Sequence, residues 1–320
     1  MPYFGFSDRL YLEKSIKIKS SFVQGAFEEY IDVIDIIDKK SQSEGRVLTG
    51  ELLPFLFSEL SNISQIDEEK VMHAWYVLYA ATIYLDDLVD GRRQPTPQQI
   101  VEASCLVNLA HFRLHEIVGD SRTYKQILED LQVALIGELQ DVLLQADQNA
   151  DREVADYQKN NVLVALCRLI EANSSDNVKL VDFCKVLIPC LQALDDLGDL
   201  ASDIKDGNLT TIVRLINRTN SSESANYDDI VIEGINSGVF VDYTVKIRQQ
   251  IYSALALLAN SDLAQPKTPA IKAFLEGIVS DLTIAERDFT KLQNSANAGL
   301  SRHKIVQEFE RIVPLAAQSS

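Results

Sequence analysis

Asp86-Asp87-Leu88-Val89-Asp90 and Asp195-Asp196-Leu197-Gly198-Asp199 are the residues of this chain whose types and spacing could do chemistry. In each cluster the first and last carboxylates are four residues apart, which places them one above the other on a single helix face. Like charges stacked in this way repel unless a cation sits among them. Mg²⁺ takes oxygen ligands and is commonly held by one or two carboxylates together with the phosphates of a substrate. The chemistry suggested is metal-assisted handling of a diphosphate. Basic residues must then grip the oxygens that the metal leaves open. Arg92 and Arg93 directly follow the first cluster, and arginine suits bidentate phosphate contacts. Lys159 stands in Tyr157-Gln158-Lys159-Asn160-Asn161 at the start of an apolar helix, and Lys205 lies in SDIKDGNLTT beyond the second cluster.

The elements that must position these groups are apolar helices. The first cluster follows WYVLYAATIYL, residues 75–85, which is apolar on nearly every face and therefore expected in the core. The second follows VDFCKVLIPCLQAL, residues 181–194. Ionised carboxylates at the ends of buried helices cost several kcal/mol unless they are paired or coordinated. Both clusters therefore sit where unpaired charge is expensive.

The 320-residue chain is 46% hydrophobic, enough for a large core, and apolar residues recur at spacings of three and four through most of it. With only 13 glycines and 8 prolines, helices are favoured over sheets. The pattern predicts helices near 8–40, 46–63, 68–90, 98–118, 122–147, 152–173, 177–205, 208–218, 238–259, 267–294 and 301–317. The polar run NRTNSSESANYDD from Asn217 reads as a surface loop. No fixed-period repeat is present, so residues 1–320 read as one all-α domain.

A net charge of −17 argues against nucleic acid, whose phosphates are bound by clustered Lys and Arg, and against an anionic membrane surface. No apolar stretch approaches the ~20 residues of a spanning helix, and the N-terminus mixes charge into its apolar residues unlike a signal peptide. Cys105, Cys167, Cys184 and Cys190 lack Cys-x-x-Cys spacing and read as reduced core thiols, so a cytoplasmic protein is expected. His111 and His115 have the i, i+4 spacing of a metal pair, but no third ligand accompanies them and they read as a polar helix face.

From about Ser41 to Ile216 these residues resemble the class I isoprenoid synthases: the trans-prenyl diphosphate synthases and the terpene synthases built on the same fold. In that family an aspartate-rich motif follows an apolar helix and is followed by two arginines, as DDLVD is by Arg92 and Arg93 here. A lysine on a central helix comes next, matched by Lys159. A glutamine stands three residues before the second motif, matched by Gln192 before Asp195. The resemblance implies a bundle of antiparallel helices around one deep central cavity, with both aspartate motifs at its mouth, and a possible homodimer. It also implies three Mg²⁺ ions that draw the diphosphate from an allylic prenyl diphosphate and leave a carbocation in the apolar cavity. Asp86 and Asp90 would hold two ions and Asp195 the third, with Asp87, Asp196 and Asp199 orienting them or acting through water. Arg46, Arg92, Arg93, Lys159, Lys205 and Gln192 would bind the diphosphate.

The departures narrow the reading. Where elongating enzymes carry Gly-Gly-Lys-x-x-Arg, this chain has Glu44-Gly45-Arg46-Val47-Leu48-Thr49, so Arg46 survives and Thr49 replaces the second basic residue. The loop after the second motif is short, and Asn208 stands where a further lysine usually follows. Phosphate-binding charge is then sufficient for one diphosphate and thin for two. This favours a terpene synthase acting on a single allylic diphosphate. A prenyltransferase using isopentenyl diphosphate or another acceptor is the alternative, and a non-catalytic binding protein a third reading that the intact aspartates argue against. Stepping back by turns from Asp86, the same helix carries Thr82, Leu78 or Tyr79, and Trp75, with Ala81 and Thr82 leaving space. Trp75 as a floor would lie ~16 Å down, a depth suited to fifteen or twenty carbons. Its ring and that of Tyr79 would either stabilise a cation or simply pack the core.

Overall fold

The computed structural model describes residues 9–22, 31–44, 49–89, 95–144, 153–176, 179–219, 226–260 and 269–313. Among these the chain is all-helical. The first segments are α1 (Arg9–Ser21), α2 (Val33–Glu44), α3 (Thr49–Glu59), α4 (Gln65–Val89), α5 (Pro97–Val118) and α6 (Arg122–Leu144). Then come α7 (Glu153–Lys159), α8 (Asn161–Asn173), α9 (Leu180–Gly198), α10 (Leu200–Asp206) and α11 (Thr211–Thr219). The last are α12 (Tyr227–Ser237), α13 (Val239–Asn260), α14 (Pro269–Asn297) and α15 (Arg302–Ile312). One isolated antiparallel bridge, between Ile63 and Ser174, ties the start of α4 to the end of α8.

Local chemistry sets the boundaries that periodicity blurs. The helix expected over 8–40 is two, because the Asp32 carboxylate accepts from the Asp35 backbone N–H (2.9 Å) and starts α2 afresh. The helix expected over 152–173 breaks at Asn160. Its amide donates to the Asp156 carbonyl (2.9 Å), and Asn161 donates to those of Tyr157 and Gln158, so the carbonyls freed by the break are satisfied. The polar run after Asn217 is partly helical: Asn226 caps the first turn of α12 through the Asp229 N–H (3.0 Å). α5 opens on a capping box between Thr96 and Gln99 with Pro97 in its first turn.

One buried cluster runs from Ile18 to Val313. α4 packs against α5 and α2, α8 against α6 and α9, α9 against α13, and α13 against α14. α5 rests mainly on α4, and α6 mainly on α7 and α8, which leaves room between α5 and α6. At the N-terminal side Lys19 bridges Asp38 and the buried Glu51, holding α1 to α2 and α3. Phe240, Phe289 and Phe309, with ring centroids 5.1–6.3 Å apart, join α13, α14 and α15. Cys167, Cys184 and Cys190 are buried free thiols. No helix among the described residues is long and apolar enough to cross a membrane.

Candidate functional site

α4 and α9 end in the same way. Asp86 and Asp87 occupy the last turn of α4, Asp195 and Asp196 the last turn of α9, and neither last turn holds a basic residue. A helix C-terminus carries the negative end of the macrodipole, so carboxylates there are disfavoured by about 0.3–1 kcal/mol each. Two long helices thus place acidic groups where local electrostatics opposes them, a cost that a cation at that point would relieve.

The paired aspartates diverge. Asp86 and Asp195 line one cavity of about 270 Å³, with Trp75, Tyr79 and Thr82 of α4, Glu138 of α6, Lys159, Asn160 and Gln192. Asp87 turns toward α2 and lies 3.5 Å from the Lys40 ammonium. Asp196 is buried on the far side of α9, where Gln192 Nε2 donates to it (2.8 Å) and the Tyr243 hydroxyl approaches (3.4 Å). Burial, reinforced by the nearby Asp156 carboxylate, raises the Asp196 carboxyl to about 7, against the pull of Gln192 and Lys159. Asp199 is the residue at which α9 ends and α10 begins.

Lys159 reaches the cavity from the α7–α8 corner, with its ammonium 3.5 Å from Asp141. That corner is pinned from two sides. Asn160 Nδ2 donates to Gln192 Oε1 (2.9 Å), so a chain of hydrogen bonds runs from Asn160 through Gln192 to Asp196. On the other side Gly137 of α6 packs directly on the backbone of Gln158 and Lys159.

A second cavity of about 390 Å³ adjoins the first between α4, α5 and α6. Thr82, Asp86, Glu138, Lys159 and Val162 line both. The remainder of its wall is mostly apolar: Leu78, Ala81, Leu85, Val107, Leu131, Ala134 and Leu139. The Thr82 hydroxyl is occupied by the Leu78 carbonyl (3.0 Å). The helix read as a ruler therefore divides. Trp75 and Tyr79, stacked at 5.6 Å with the indole N–H donating to the Gly50 carbonyl, belong to the smaller cavity beside the aspartates. Leu78 and Ala81 belong to the larger apolar one.

Comparison with protein-family models gives no match, and comparison with characterised proteins gives none either.

Not every residue singled out in the sequence joins this site. Arg46, Asp90, Arg92 and Arg93 lie outside the described residues. Lys205 stands apart from the cavity. The turn at Asp199 carries α10 toward α12 and α15, and its ammonium rests over the Tyr227 ring (5.1 Å) and 3.9 Å from Glu310. Among the described residues no three acidic, imidazole or thiol groups converge to form a metal site by themselves. Glu138 and Asn160, which line the cavity, and Asp141, which pairs with Lys159, are residues that the motifs did not reveal. The available signal was Glu138 and Asp141, three residues apart within the mostly apolar Leu135–Leu144 stretch of α6.

Proposed function

We propose that this chain is a class I isoprenoid synthase of the terpene-synthase type. It would ionise a single allylic prenyl diphosphate of fifteen or twenty carbons within an antiparallel helix bundle. The observation that carries the reading is the meeting of Asp86 and Asp195, from helices distant in sequence, at one cavity with Lys159. An apolar chamber large enough to hold a hydrocarbon chain opens beside it.

The donor set fits Mg²⁺, with acidic oxygens gathered at the negative ends of two helices. Asp86 and Asp90 would hold two ions and Asp195 a third. Bound there, Mg²⁺ neutralises the charge that develops on the departing diphosphate. Lys159 donates to the diphosphate oxygens from the opposite wall. The Asn160–Gln192–Asp196 chain fixes the α7–α8 corner relative to α9, so that Lys159 and Asp195 hold their spacing without rearrangement. The hydrocarbon lies along Ala81 and Leu78, where the wall is mostly apolar.

Incubating the protein with ten-, fifteen- and twenty-carbon allylic diphosphates and Mg²⁺ tests this. Release of diphosphate with a terpene product, in the absence of isopentenyl diphosphate, is the expected outcome. A longer prenyl diphosphate formed only when isopentenyl diphosphate is added would make the chain an elongating enzyme instead, and no turnover in either assay would end the enzymatic reading. Ala81→Phe offers a finer check. A ring at this position fills the chamber beside Thr82. It should lower kcat/KM for the twenty-carbon substrate relative to the ten-carbon one by at least about tenfold, or ~1.4 kcal/mol. An unchanged ratio would place the hydrocarbon elsewhere.

A further inference from the structure

We infer that His111 is the proton acceptor that ends the reaction, taking a proton from the carbocation deep in the apolar chamber. This rests on the proposed function and names a group that the reading leaves unassigned. Among the described residues lining the chamber, the polar side chains are Thr82, Asp86, His111, Glu138 and Lys159. Four of them also line the cavity that holds the aspartates; His111 alone does not. Among the described residues it is the one basic group that lines the chamber without also lining the aspartate cavity.

Its depth follows from α5. Ile100 and Val107 share a groove with Leu85 and Leu88 at the aspartate end of α4. His111 comes one turn after Val107, about 6 Å further from that end. The neighbouring histidine has a different setting: His115 is exposed, its ring bonded to Asp120 (3.0 Å) and set edge-on against Tyr124. Tyr124 also reaches the His111 carbonyl (3.5 Å), which helps to hold that stretch of α5 in place.

The chemistry needs only a neutral imidazole. Loss of diphosphate leaves an allylic cation, which rearranges until a C–H bond next to the positive carbon meets a ring nitrogen of His111. The electrons of that C–H bond become the new C=C bond, and the proton joins the nitrogen to give imidazolium. The imidazolium returns the proton to water after the product leaves. Glu138 is the competing base, but it also lines the cavity of Asp86, Asp195 and Lys159, on the side where the diphosphate would lie. A base away from the diphosphate places the double bond remote from the carbon that carried it.

The test scores products per diphosphate released, with farnesyl diphosphate and Mg²⁺, for wild type, His111→Gln, His111→Ala, Glu138→Gln and His115→Gln. Without the imidazole the cation is captured by water or deprotonated at another carbon. The ratio of the main hydrocarbon to alcohols and isomers should then fall at least about tenfold in both His111 variants, and not in His115→Gln. An unchanged ratio in a folded His111 variant overturns the assignment, as does a shift confined to Glu138→Gln. A second readout needs no variant: farnesyl thiolodiphosphate, which does not ionise, should move the imidazole NMR signals of His111 and leave those of His115 in place. If the analogue binds without moving them, His111 does not face the chain. If wild type releases no diphosphate from any prenyl substrate, the proposed function itself fails and the base falls with it.

Discussion

Replacing Asp86 or Asp195 with asparagine will cut Mg²⁺-dependent diphosphate release at least about a thousandfold, roughly 4 kcal/mol of transition-state stabilisation. Asparagine keeps the shape and removes the charge, so the loss reports electrostatics and not packing. The same change removes a carboxylate from the negative end of a helix with no basic residue in its last turn. Thermal stability measured in EDTA should therefore change far less than turnover, because the helix-end contribution favours the neutral side chain by about 0.3–1 kcal/mol per site. Lower turnover with unchanged or greater metal-free stability separates a functional carboxylate from a structural one. Because both residues face one cavity, the double variant should lose little beyond either single one, since groups that act as a unit are strongly non-additive. Asp87→Asn is the contrast, because that carboxylate is directed to Lys40, and its effect should be much smaller. Full turnover in the folded Asp86→Asn and Asp195→Asn proteins would remove the basis of the proposed reaction.

How far the sequence carries can be judged residue by residue. The apolar run before Asp86 specifies a buried α4, and the aspartates at its end are visible because charge is rare there. Which way each carboxylate turns is not visible. Consecutive helical residues point about 100° apart, so two adjacent carboxylates need not face the same cavity. Whether that is Asp86 or Asp87 depends on where α2 puts Lys40. The same limit applies to the ruler. By helix geometry Trp75 points within about 20° of Asp86, and Leu78 about 80° away. Since nearly the whole helix is apolar, the pattern cannot say which direction opens on space and which on packed side chains. Asn160 was hidden for another reason. Its role is to satisfy carbonyls at a helix break and to meet Gln192 on another helix, and one residue of the polar run Gln158–Asn161 carries no mark of either. Lys205 follows the second cluster closely in sequence, yet the turn at Asp199 carries it to Tyr227 and Glu310.

Gly137→Ala should destabilise the protein by about 1–3 kcal/mol, against the sign of its helix propensity. Glycine in a helix interior costs up to ~1 kcal/mol relative to alanine, so without tertiary contact the change would stabilise. Here a Cβ would fall within 2.7 Å of the Gln158 carbonyl carbon and closer still to the Lys159 backbone nitrogen. Both are backbone atoms that cannot rotate aside, so α6 and the α7–α8 corner must separate. That corner carries Lys159, and its displacement should also raise KM and lower kcat. Gly277 supplies the internal control: it lies inside α14 and a Cβ there meets nothing within 4 Å. Gly277→Ala should therefore stabilise by about 0.5–1 kcal/mol and leave turnover alone. Urea unfolding of the two variants decides the matter. Opposite signs support an α6 fitted to the Lys159 corner, whereas stabilisation by both would mean that the close approach at Gly137 imposes nothing on the site.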